Sequence, residues 1–228
     1  MLSDYQHPYV TVDGVVLRFQ NARLEVLLVT RDDGKIALPG GFLDIDKTLD
    51  EALEQKVFQK TGIKGFYMEQ LKTYDALDRD PRGRILSVAY LAFLNKQTDD
   101  SELPDDVRWC PIIGNGSAWE LAFDHEQILA DGLQRLKNKF FYSDLPGYLL
   151  QAEFTALEGK ELWGCLSGHS TFNVHRFFNP RTIETGKTAE TKGRPAALLR
   201  WKWGWNDDGG IQKSITPRLK PGACKSPD

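Results

Sequence analysis

Gly41-Phe-Leu-Asp-Ile-Asp-Lys-Thr-Leu-Asp-Glu-Ala-Leu-Glu-Gln-Lys-Val-Phe-Gln-Lys-Thr-Gly-Ile63 is the stretch that decides the fold. It holds a helix with both ends marked. Thr48 is placed as N-cap, and Glu51, three residues on, completes a capping box. Leu49, Ala52, Leu53 and Val57 recur at the spacing of one helical face. Gly62 is placed to end the helix. Asp50, Glu51 and Glu54 sit in its first half, where carboxylates complement the helix dipole. That role accounts for the three without a ligand, and a metal site built from them is the alternative.

Strands flank this helix. Tyr9-Val-Thr-Val-Asp13 alternates apolar and polar residues, and Gly14-Val-Val-Leu-Arg-Phe19 continues the run. Gln20-Asn-Ala-Arg23 reads as a turn into Leu24-Glu-Val-Leu-Leu-Val29, and Arg31-Asp-Asp-Gly-Lys35 as a second turn with Asp-Gly as its signal. Further strands are expected at 66–74, 84–94 and 107–111, with a polar loop from Asp75 to Gly83. Residues 121–136 read as a helix capped by Asp124, with Ile128, Leu129, Leu133 and Leu136 on one face. This mixture predicts an α/β/α sandwich over residues 1–143.

A second unit is expected over 144–205. Phe154–Leu166 reads as a short amphipathic helix with Thr155 as N-cap, and Thr171–Phe178 as another. Strands follow at 182–185 and 196–203, connected by Gly186–Pro195. Helix, turn, helix and a hairpin with a basic tip is the order of a winged helix-turn-helix. Residues 206–228, rich in Gly, Pro, Lys and Ser, read as a flexible tail.

Charge divides at the same place. Residues 1–145 carry a net charge of −7, and residues 146–228 a net of +4. A basic second unit suits a polyanionic partner, although a solvated basic face would have the same composition. Cys110, Cys165 and Cys224 are scattered and form neither a zinc ribbon nor a disulfide framework. The start, Met1-Leu-Ser-Asp-Tyr5, has neither the basic residues nor the apolar run of a secretory signal, and the longest apolar runs are too short to span a bilayer. A cytoplasmic protein without a membrane partner is expected.

The quoted stretch resembles the Nudix box, which reads G, five residues, E, seven residues, R-E-U-x-E-E-x-G-U with U aliphatic. Gly41, Val57, Gly62 and Ile63 fit the frame, but the polar positions do not. Lys47 stands at the first glutamate, Gln55 at the arginine, Lys56 at the adjoining glutamate, and Gln59 and Lys60 at the last two. With the second unit included, residues 7–203 resemble the NrtR family of Nudix-related transcriptional regulators of NAD metabolism. The resemblance rests on His7-Pro-Tyr-Val-Thr-Val-Asp13, Leu38-Pro-Gly-Gly-Phe-Leu-Asp44, Phe123-Asp-His-Glu-Gln-Ile-Leu129, Phe154-Thr-Ala-Leu157 and Gly193-Arg-Pro-Ala196. It implies a homodimer that binds double-stranded operator DNA through the winged domain and senses ADP-ribose or a related nucleotide in the Nudix-like domain. The genes controlled would be those of NAD synthesis or salvage.

Nudix hydrolysis needs hard carboxylate oxygens around a divalent ion. A protonated lysine cannot ligate a metal and repels one nearby. The reading is therefore of a site with no catalytic residues, no metal and no cofactor, which keeps its nucleotide whole. The alternative is a residual pyrophosphohydrolase acting on ADP-ribose through Asp50, Glu51 or Glu54. Lys47, Lys56 and Lys60 become candidates to hold the diphosphate as point charges. Arg31, Arg79, Arg82 and Arg84 are further phosphate candidates. Gly40, Gly41 and Phe42 stand at the mouth of the box, and Phe42 or Trp109 could stack on adenine, although aromatics at strand ends are commonly core.

For DNA, Asn173, His175 and Arg176 would sit on the helix that enters the major groove, and Lys187, Lys192 and Arg194 on the wing. Many family members carry several arginines in the recognition helix. Here the segment is Phe172-Asn-Val-His-Arg-Phe-Phe178.

Overall fold

The computed structural model describes residues 6–94, 100–114, 116–143, 145–168, 173–190 and 195–202. Its elements are β1 (Tyr9–Gln20), β2 (Arg23–Thr30), β3 (Ile36–Ala37), β4 (Gly40–Phe42), α1 (Leu49–Thr61), β5 (Tyr67–Tyr74), β6 (Ile85–Leu94), β7 (Val107–Ile113), β8 (Gly116–Ser117), α2 (His125–Lys139), β9 (Phe154–Thr155), α3 (Ala156–Ser167), α4 (Val174–Phe178), β10 (Thr182–Ala189) and β11 (Ala196–Trp201). The main sheet runs β5-β6-β1-β2-β7-β8, with β3 on β2 and β4 on β1. β1 lies parallel to β6 from Tyr9↔Ile85 to Arg18↔Leu94, and antiparallel to β2.

Strand alternation sets the layers. Val12, Val16, Leu27, Val88 and Tyr90 face one side, where Ala52, Leu53 and Val57 of α1 cover them. Val15, Leu17, Val26, Leu28, Leu91 and Phe93 face the other, under Ile128, Leu129, Leu133 and Leu136 of α2. Because side chains on a strand point alternately to opposite faces, one sheet feeds two cores. The result is the expected three-layer α/β/α sandwich. The β1–β2 turn places Asn21 (φ 52°) and Ala22 (φ 57°) in the left-handed region, matching a two-residue hairpin loop. α1 has the predicted ends: the Thr48/Glu51 capping box closes its start, and Gly62 (φ 71°) donates its N–H to Phe58 O at its end.

The start of the second large helix differs from the sequence reading. Leu121 bridges to Ile36, Ala122 donates to Ile36 O at 2.7 Å, and the helix begins only at His125. Asp124 holds the N-cap position but makes no side-chain cap. Its carboxylate accepts both arms of the Arg79 guanidinium, at 2.9 and 2.6 Å, and a bidentate pair between two charged groups outcompetes a cap bond to a backbone N–H.

In the second unit, β10-β11-β9 form a three-stranded sheet behind α3 and α4. Thr155 and Glu158 form a full capping box on α3, which ends at Gly168 (φ 71°). The hairpin is longer than expected. Gly186 (φ 78°) lies inside β10 and not in the connection, because a register shift between Glu184 and Thr188 absorbs the kink and pairing continues to Ala189↔Ala196. The unit is anchored by Phe154, Leu162, Phe177, Phe178 and Trp201, which belong to the same core as α2. α3 reaches the sandwich itself, where the Cys165 thiol lies 3.5 Å from Ala22 O.

Candidate functional site

A two-lobed cleft opens between the β2–β3 turn, the 75–84 loop and the start of α2. The larger lobe, of about 500 Å³, includes Asp33, Lys35, Asp78 and Pro81. The smaller, of about 180 Å³, includes Asp13, Gly40, Gly41, Phe42, Lys60 and His125. Arg31, Arg79, Arg82 and Phe123 line both lobes and form the divide between them.

The divide is a stack of cations and rings. The Arg31 guanidinium lies 4.5 Å from the Phe123 ring centre. Arg82 lies 5.3 Å from both Phe123 and Phe42. Arg31 is also bonded to Asp33 at 3.1 and 3.2 Å. Arg79 is buried and committed to Asp124. Arg82 is held by the buried carboxylate of Asp80, which accepts from its backbone N–H and its guanidinium. These contacts depress the Asp80 pKa below the ordinary carboxylate range, the guanidinium bond being the largest cause. Arg84 is apart from the lobes: its guanidinium ties down Asp75 O at 2.6 Å and so braces the loop. Phe123 holds φ 59°, costly for a bulky residue, and this conformation turns the chain from the bridge at Leu121 into α2.

Beneath the smaller lobe lies a buried polar floor. Asp13 Oδ2 accepts from the Ser87 hydroxyl and, at 3.3 Å, from the Thr11 hydroxyl. His125 Nδ1 accepts from the Leu38 N–H at 3.0 Å, which places the ring proton on Nε2. Nε2 points at Asp13 Oδ1 from 3.7 Å. Burial pushes the His125 pKa below its ordinary value, so the ring is neutral near neutral pH. Gly40 has no alternative: a Cβ there would sit 2.2 Å from Val12 O and 2.3 Å from Asp13 Oδ1.

The three lysines of the degenerate box divide. Lys60 reaches the smaller lobe; loss of water around its ammonium is the main cause of a pKa below the usual lysine value, and Asp13 is the largest opposing influence. Lys56 donates to Asp44 at 2.8 Å and lays its stem along Gly41. Lys47 is exposed, 3.8 Å from Asp46, and lines neither lobe. Three lysines occupy carboxylate positions, and the described residues contain no group of three or more His, Cys, Asp or Glu able to hold a metal. Of the carboxylates on α1, Asp50 accepts from Tyr90 Oη at 2.7 Å and Glu51 belongs to the capping box. Trp109 lies in the α1-side core under Arg18, away from both lobes.

On the second unit, Asn173 Oδ1 accepts from the Arg176 N–H at 3.0 Å, and both residues are exposed at the start of α4. His175 lies within α4. Lys187, on β10, is paired with Glu153 at 2.9 Å. Lys192 and Arg194 lie outside the described residues.

Sequence reasoning did not select Asp13, His125 or Phe123 as site residues. Asp13 and His125 sit inside segments that read as core strand and helix, and Phe123 as an apolar residue of a helix. Two faint signals existed: a carboxylate in a mostly apolar strand, and a histidine beside a capping aspartate.

The NUDIX domain profile matches residues 8–132. The chain is 32% identical over 213 residues to the "ADPR responsive transcriptional repressor NtrR" of Acinetobacter baylyi, covering 87% of this chain and 84% of that one. It is 33% identical over 138 residues to an ADP-ribose pyrophosphatase of Methanocaldococcus jannaschii, covering 59% of this chain and 78% of the relative. Among solved structures, Shewanella oneidensis NrtR complexed with a 27mer DNA is similar over 85% of this chain and 93% of its own, at 33% identity and a TM-score of 0.76. The NUDIX domain of that protein complexed with ADP ribose covers 59% of this chain and 92% of its own length, at 33% identity and a TM-score of 0.51. A Nudix profile over the sandwich, joined to likeness over 85–87% of the chain to NtrR and NrtR, has one reading: the chain belongs to the NrtR family of Nudix-related transcriptional regulators.

Proposed function

We propose that the protein is an ADP-ribose-responsive repressor of NAD-synthesis or salvage genes, with residues 1–143 sensing the nucleotide and residues 144–205 binding operator DNA as part of a homodimer. The observation that carries this reading is the two-lobed cleft divided by Arg31 and Arg82, with Lys60 in place of a metal-binding carboxylate. The lobes offer room for a sugar or base on either side of a diphosphate, and the guanidiniums and the ammonium supply the charge that a metal ion would bring. No metal and no cofactor are required, and the nucleotide persists as a signal. The kinship with an Acinetobacter repressor responsive to ADP-ribose, and with a Shewanella regulator solved on DNA, supports the same reading.

The two units communicate through α2. Its first residue, His125, lies on the floor of the cleft, and Asp124 just before it holds Arg79. The residue after its last turn, Phe140, packs at a tilt against Trp163 of α3 at 4.9 Å and stacks on Phe177 of α4 at 5.3 Å. A ligand that draws on the divide would shift α2 and thereby the DNA-reading helices. Coupling of this kind is reciprocal: ADP-ribose must weaken operator binding by the factor by which operator weakens ADP-ribose binding, typically about 5- to 150-fold.

The test is a gel shift on the region upstream of an NAD-synthesis gene, in EDTA. A complex that forms without ligand and dissolves on adding ADP-ribose is the expected result. A complex indifferent to ADP-ribose would overturn the reading. The archaeal pyrophosphatase relative favours a second reading, a residual hydrolase, and turnover of ADP-ribose in millimolar Mg²⁺ or Mn²⁺ would establish it.

A further inference from the structure

We propose that Asp13 is the specificity determinant of the cleft, accepting hydrogen bonds from the vicinal hydroxyls of a terminal ribose seated in the smaller lobe. The inference rests on the ADP-ribose reading and adds to it the part of the ligand that is recognised.

Two carboxylates line the smaller lobe, and they differ in what they have left to offer. Asp80 is saturated by Arg82, which approaches both oxygens and donates its backbone N–H as well. Among the described residues, Asp13 pairs with no lysine or arginine within 4 Å, and its charge reaches Lys60 only from farther off. Its Oδ2 is satisfied by Ser87 and Thr11, and these bonds fix the carboxylate plane. Its Oδ1 faces Gly40 and the His125 Nε2–H at 3.7 Å, beyond hydrogen-bond reach. The residue is 6% exposed, and that exposure opens into the lobe. A carboxylate that lines the lobe, with its bonds from the described residues falling on Oδ2, leaves Oδ1 to select a ligand that brings hydrogen-bond donors.

The ligand's own chemistry decides which part fits. A diphosphate has only acceptors at neutral pH and is repelled by Asp13, so it belongs on the divide, between the Arg31 and Arg82 guanidiniums. Adenine, flat and apolar on both faces, suits the larger lobe beside Phe123 and Pro81. What remains is a pentose with two adjacent hydroxyls, small enough for about 180 Å³ and rich in O–H donors. His125 completes the lobe: held neutral by burial, with its proton on Nε2, it can donate to a sugar oxygen but adds no charge to attract phosphate.

The experiment compares ADP-ribose with ADP, which has the same base and diphosphate but no second ribose, by calorimetric titration in EDTA. The wild-type protein is expected to bind ADP-ribose more tightly than ADP. Asp13→Asn is expected to lose ADP-ribose affinity by about ten- to a hundredfold, the cost of losing a hydrogen bond to a charged acceptor, while ADP affinity stays within about twofold. Ser87→Ala, which only loosens the carboxylate, should give a smaller loss of the same selectivity. Equal binding of ADP and ADP-ribose by the wild type would overturn the inference and leave the nucleotide reading standing. Failure of the wild type to bind either would overturn the nucleotide reading itself. Parallel losses for both ligands in Asp13→Asn would assign Asp13 to the fold and overturn its role in selection. A penalty that appears only when Mg²⁺ is added would assign it to a cation and do the same.

Discussion

At the scale of the residue, the three lysines of the box are not equivalent, although their positions in the sequence make them so. Lys56 is already neutralised by Asp44, and Lys47 lines neither lobe, which leaves Lys60 as the cation of α1 positioned for a diphosphate. In metal-free titrations, Lys60→Ala should therefore weaken ADP-ribose binding by about tenfold, as expected for a charge-assisted contact, and Lys47→Ala should change nothing. Equal losses from all three alanine variants would contradict this ranking. The pH dependence follows from the same side chain. Its pKa is depressed in the free protein, and a bound anion raises it, so affinity is flat near neutrality and falls on the alkaline side as Lys60 loses its proton, below the ordinary lysine value. His125 gives an opposite signature in stability. Its folded pKa lies below the ordinary histidine value of 6.5, so the unfolded chain binds the proton more readily. Stability is then full above pH 6.5 and erodes as pH falls below it; His125→Gln should flatten that acid limb in thermal melts recorded from pH 7 to 5.

At the scale of the element, glycines define two packing contacts that can be tested separately. Gly159 in α3 lies against the buried ring of Phe178 in α4, and a Cβ there would come within 2.2 Å of it. Phe178 is wedged between Phe154 and Trp201 and cannot swing away. Gly159→Ala should cost about 1–3 kcal/mol in chemical denaturation and abolish operator binding, while ADP-ribose binding survives. Gly40→Ala strikes backbone at Val12 and the floor carboxylate, and should lose ADP-ribose instead. These contacts also explain what was legible in the sequence. α1 with both its ends and the Thr155 cap of α3 were readable because caps are local signals, and the long strands were readable from their apolar pattern; the two- and three-residue strands β3, β4, β8 and β9 were not, and Phe154 of β9 read as helix. At the start of α2 the N-cap position of Asp124 was readable but the use of its carboxylate was not, because only the fold brings Arg79, 45 residues away, to take it. The same reason hid the floor: Asp13 and Ser87 are 74 residues apart and meet only through the parallel pairing of β1 with β6. The arginines of the cleft were legible as a cluster of charge, but which of them is committed to a partner was not.

At the scale of the whole molecule, the charge asymmetry between the two halves turns into a specific statement about how DNA is held. The sequence counts a net of +4 beyond residue 145, yet part of that charge is internally spent. Lys187 of the hairpin is bonded to Glu153, on the segment leading into β9. A phosphate approaching the hairpin competes with that carboxylate and is repelled by it. Glu153→Gln should therefore tighten operator binding by about two- to fivefold, the worth of an exposed ion pair, with ADP-ribose affinity unchanged because Glu153 lies outside the cleft. Lys187→Ala should weaken binding to operator and unrelated DNA alike, and should reduce the slope of log affinity against log salt by about one, as expected when one phosphate is no longer neutralised. If Lys187 instead served only to hold the hairpin to Glu153, both variants would lower the melting temperature, neither would alter the salt slope, and Glu153→Gln would weaken DNA binding. The sign of the Glu153→Gln effect alone thus separates a hairpin that meets phosphate from one that merely packs.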